Sequence, residues 1–67
     1  MAKVRYIIST KNQRYGIAAV DVNTRELIML IEDISTKKIF VENLVCKFNT
    51  YGLSILHFKD AVEDSLE

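Results

Sequence analysis

The stretch ELIMLIEDISTKKIFVENLVCKF, residues 26–48, changes its hydrophobic period partway along, and that change decides the fold. Its first part, Glu26-Leu27-Ile28-Met29-Leu30-Ile31-Glu32, is a short aliphatic run closed by an acid at each end, which reads as a β-strand. From Lys37 to Phe48 the apolar residues Phe40, Val41, Leu44, Val45 and Phe48 recur at helical spacing and gather on one side. Ser35 or Thr36 stands where a side-chain oxygen would cap that helix by accepting from an unpaired backbone N–H.

Towards the N-terminus two more segments have strand character. Lys3 to Thr10 is β-branched and aromatic with rough alternation, and Tyr15 to Val22 follows the same habit. The polar connections Lys11-Asn12-Gln13-Arg14 and Asn23-Thr24-Arg25 are short enough for hairpins, so an antiparallel three-stranded meander is expected. Towards the C-terminus, Asn49-Thr50-Tyr51-Gly52 closes the first helix, with Gly52 a candidate left-handed residue. Ser54 then caps a second helix running to about Leu66, with Ile55, Phe58, Ala61, Val62 and Leu66 on its inner side. The expected architecture is a single small α+β domain over residues 1–67, β-β-β-α-α, with both helices on one face of the sheet.

Composition sets the limits on such a domain. Hydrophobic residues make up 49% of the 67, which argues against disorder. A chain this short buries only about 60% of the surface it exposes when unfolded, so it needs support from elsewhere. Its one cysteine, Cys46, excludes an internal disulfide, and no Cys/His cluster suggests a structural metal. Oligomerisation is the remaining common support.

Nine Lys+Arg balance nine Asp+Glu, which removes any global attraction to nucleic acid or an anionic membrane. The balance is uneven along the chain. Lys3, Arg5, Lys11 and Arg14 precede the first acid, Asp21, whereas residues 57–67 set Lys59 against Asp60, Glu63, Asp64 and Glu67. Glu63, Asp64 and Glu67 oppose the macrodipole at the C-terminal end of the last helix, a small cost that solvation relieves more readily than a basic surface on a second copy. Met1-Ala2-Lys3 runs directly into the alternating segment without a signal-peptide core, and the five aliphatics Leu27 to Ile31 fall far short of a membrane span. With a lone cysteine, the expected compartment is the cytoplasm and no membrane partner is expected.

Strand alternation leaves one sheet face to be explained. If Val4, Tyr6, Ile8, Val20, Val22, Leu27, Met29 and Ile31 point towards the helices, the opposite face holds Arg5, Ile7, Ile17, Ala19, Ile28 and Leu30. Glu26 and Glu32 share the parity of Ile28 and Leu30, giving an apolar centre with charged ends. Ile7, Ile17, Ile28 and Leu30 are therefore a candidate patch for self-association or for an unidentified protein partner.

Groups that could support chemistry are few. His57, Asp60 and Asp64, at i, i+3 and i+7, fall on the outer side of the last helix, where imidazole and carboxylates could form a metal half-site or an acid/base pair. Without a second His or a nearby Cys ligand, solvated surface groups are the better reading, and no metal, cofactor or catalytic residue is assigned. Cys46 reads as a partly buried structural thiol. Lys3, Arg5, Lys11 and Arg14, interleaved with Tyr6 and Tyr15, could contact nucleic acid through phosphates and stacked bases, but Tyr6 belongs to the inner face. Gly16 and Gly52 make no phosphate-binding loop, and no GxSxG, HExxH, CxxC or Walker pattern occurs.

Tyr15-Gly16-Ile17, Asp33-Ile34-Ser35 and the run Leu53-Ser54-Ile55-Leu56-His57-Phe58-Lys59-Asp60-Ala61-Val62-Glu63-Asp64 resemble an uncharacterised family of small proteins from low-GC Gram-positive bacteria, a domain of unknown function. The resemblance spans nearly the whole chain and is most specific in the last segment. Members often carry proline where this chain has Ile55. It implies no activity, cofactor or partner, but marks His57, Asp60, Glu63 and Asp64 as matching the family's pattern. The expected function is that of a non-catalytic protein-contact or regulatory module acting as a homodimer. The alternative is a nucleic-acid accessory domain using Lys3, Arg5, Lys11 and Arg14.

Overall fold

A computed structural model describes residues 3–66. Met1 and Ala2, at the start of the expected leaderless terminus, and Glu67, one of the acids assigned to the last helix, lie outside the described residues. Strands β1 (Val4–Lys11), β2 (Arg14–Asp21) and β3 (Leu27–Ser35) form an antiparallel meander in the order β1-β2-β3. Helices α1 (Lys38–Tyr51) and α2 (Ile55–Ser65) follow, so the chain has the expected β-β-β-α-α arrangement. Among the described residues no helix is long and apolar enough to cross a membrane.

The first hairpin turns on two residues only. Asn12 and Gln13 both take positive φ, 51° and 65°, as a two-residue turn matching the twist of its strands requires. This fixes the register at Lys11↔Arg14 and hence at Tyr6↔Ala19 and Ile8↔Ile17. Directly paired residues share a face, so Ile17 and Ala19 join Tyr6 beneath the helices, and both are fully buried. The expectation that Val20 and Val22 point inwards is thereby corrected: Val20 lies on the outer face and Val22 in the exposed turn beyond β2. Pairing across the hairpin gives Val20 the side of Arg5, opposite to the phase supposed.

Strand β3 runs three residues further than the expected Glu32, and two irregularities shape it. Between the pairs Ile17↔Ile31 and Tyr15↔Ser35 it takes two residues more than β2, and Asp33 adopts φ 59°. The bulge turns Ile34 into the core although Ile31, three residues earlier, also faces inwards. Gly16 lies opposite this bulge, where a Cβ would come within 2.8 Å of the Glu32 Cα and meet the Ile31 carbonyl oxygen. Only glycine fits so close a backbone approach. Arg14 Nε donates to Asp33 Oδ1 beside it, and Lys11 Nζ lies 3.9 Å from Glu32.

The core gathers around Tyr6. Its ring meets Phe58 at 4.9 Å and Phe48 at 5.6 Å between centroids, in tilted and edge-on geometries. Val41 and Leu44 of α1 and Val62 of α2 complete the buried set, with Phe40, Val45, Ile55 and Ala61 packed at its edge. Leu66, expected on the inner side of α2, is exposed just past the end of that helix. The N-cap of α1 is Lys37, without a side-chain cap; Ser35 Oγ instead accepts from the Lys37 N–H, before the helix begins. Ser54 caps α2 as expected, accepting from the Leu56 N–H.

Gly52 ends α1 at φ 61°, its N–H bonded to the Asn49 carbonyl while the Leu53 N–H reaches the Phe48 carbonyl. That closure aims two groups at β1. The Leu53 carbonyl accepts from the Tyr6 hydroxyl at 2.6 Å. The Asn49 side chain accepts from the Tyr6 N–H and donates to the Tyr6 carbonyl, both at 2.8 Å, as a neighbouring strand would.

Three outcomes test this arrangement. Gly16→Ala should lower stability by at least about 2 kcal/mol in urea unfolding, because backbone rather than a movable side chain fills the space. Asn49→Ala should cost about 1–3 kcal/mol, since two strand-edge groups lose their partner. Burial raises the Tyr6 pKa above its ordinary value of 10.0. A raised folded-state pKa means that the contribution is complete below the unfolded value and is lost as pH climbs through the folded one. Stability should therefore fall above about pH 10, and Tyr6→Phe should flatten that alkaline limb while losing the bond to Leu53.

Candidate functional site

The outer sheet face is built from residues that the hairpin register and the bulges place together. Ile7, Ala18 and Leu30 are direct cross-strand neighbours and form one row. Arg5, Val20 and Leu27 form the next. Between the pairs Ala19↔Met29 and Val20↔Leu27, β3 inserts Ile28 as an extra residue, so Leu27 shares the outer face. Neither helix reaches this side, which leaves Ile7 43%, Ile28 42%, Leu30 37% and Leu27 58% exposed.

Three of the four residues expected to form the patch, Ile7, Ile28 and Leu30, are thus exposed together. Ile17 is not one of them: the two-residue turn pairs it with Ile8 and buries it fully in the core. Leu27 is exposed in its place, with Val20 half-buried beside it and Ala18 buried between Ile7 and Leu30. The sequence marked Ala18 and Val20, because the loop expected from Lys11 to Arg14 already pairs Thr10 with Tyr15 and hence Ile7 with Ala18; Leu27 is turned outwards by the bulge. The same extra residue in β3 breaks the parity assumed between Glu26 and Ile28.

The face has relief. Along the middle strand the outward positions hold the small side chains Gly16, Ala18 and Val20, flanked by Ile7 on β1 and by Leu27, Ile28 and Leu30 on β3. Gly16 and Ala18 are buried among these neighbours and only Val20 is half-exposed, so the middle strand is covered along most of its length. Its Gly16 end is closed by the β3 backbone, and its other end opens into a hollow of about 460 Å³ lined by Arg5, Ile7, Val20, Asp21, Val22 and Arg25. The Asp21 carboxylate there accepts from the Asn23 and Thr24 N–H groups of the turn, while Arg5 and Arg25 have no carboxylate partner among the described residues.

The remaining candidates are more dispersed. His57, Asp60 and Asp64 are all exposed on α2, with the His57 N–H bonded to the Ser54 carbonyl. Among the described residues no group of three or more His, Cys, Asp or Glu side chains is arranged to hold a metal ion. Cys46 is exposed on α1, which corrects the expected partial burial. Of the four basic residues proposed for nucleic acid, Lys11 and Arg14 are paired with Glu32 and Asp33, and only Lys3 and Arg5 are left. Tyr6 is in the core and Tyr15 packs against it, so neither ring is free to stack on a base. A second groove, of about 470 Å³, separates β3 from α2 and is lined by Met29, Ile31, Ile34, Val62 and Leu66 with Lys59 and Glu63 at its rim.

Comparison with protein-family models, with curated proteins and with solved structures returned no match to this chain.

Proposed function

We infer that this chain is a non-catalytic protein-contact module whose working surface is the outer sheet face, used for self-association as a homodimer. The observation that carries the reading is the row Ile7–Ala18–Leu30 with Ile28 and Leu27 beside it, an apolar surface that no described element of the chain covers. A small domain gains most from burying such a face, because its own core is limited. Exposed cations and carboxylates, Arg5, Arg25, Lys11 and Glu32 among them, surround the apolar centre as a polar rim surrounds an interface. The cytoplasm is the compartment that fits an exposed, unpaired thiol at Cys46. The resemblance to an uncharacterised family of small bacterial proteins is consistent with this reading and adds no activity to it.

Light scattering on a sizing column over a hundredfold range of concentration should give a mass near twice 7.7 kDa. Ile28→Asp combined with Leu30→Asp should give a folded monomer, since both side chains leave the core untouched. An unchanged mass for the double variant would sink the proposal.

A further inference from the structure

We draw no further inference here: the strongest candidate, the hollow of about 460 Å³ at the Val20 end of the outer sheet face, where the exposed Arg5 and Arg25 have no carboxylate partner among the described residues, opens onto the surface already proposed for self-association, and nothing in the structure shows what would cover it.

Discussion

Tyr6 is the residue through which the two halves of the chain recognise each other. Its ring is enclosed by Phe48 and Phe58, one from each helix. Its hydroxyl donates to the Leu53 carbonyl in the link between the helices, and its backbone donor and acceptor are both matched by Asn49. A buried tyrosine would be costly if its hydroxyl went unpaired, and an edge strand costly if its amides were left facing the protein. Both demands are met by a single feature, the glycine-terminated end of α1, which sets Asn49 and Leu53 at the right height. The helices are held on the sheet by this node together with the apolar cluster around it.

Everything on the opposite face follows from having committed Tyr6 inwards. With a two-residue turn, Tyr6 fixes Ala19, and Ile8 fixes Ile17, as inner residues. Ala18 and Val20 are then forced outwards, and β3 must present Leu30 and Leu27 beside them. The two sheet edges are treated differently. Asn49 occupies the free side of β1, whereas β3 is interrupted by bulges and carries Glu32 and Asp33 at its far end. Such devices discourage edge-to-edge association while leaving the flat of the sheet available.

The element order, the helix boundary at Gly52 and the cap at Ser54 were legible in the sequence because each rests on a local cause: a change of period, a residue tolerant of left-handed backbone, a hydroxyl before an apolar run. The apolar second face was legible too, since alternation cannot hide both sides of Leu27 to Ile31. The phase of β2 was harder. Tyr15 to Val22 is apolar at odd and even positions alike, so its own pattern names no inner side, and the answer sits in its pairing with β1, which carries the inward side of Tyr6 across to Ala19. The bulges at Ile28 and Asp33 had no sequence signal beyond Gly16 in a strand, because they arise from how two backbones meet. The exposure of Cys46 escaped for a related reason: its helix position is intermediate, and the sheet is narrow enough to leave that flank open.

The Tyr6–Asn49 contact spans 43 residues and the Tyr6–Leu53 contact 47, whereas every strand pairing joins neighbours in the chain. Closing so long a loop is the slow, entropically unfavourable step of assembly, and the meander can form before it. Until that loop closes, both faces of the meander are bare. One of them waits for the helices of the same chain. The other, with Ile7, Ile28, Leu30 and Leu27, stays exposed after they have docked.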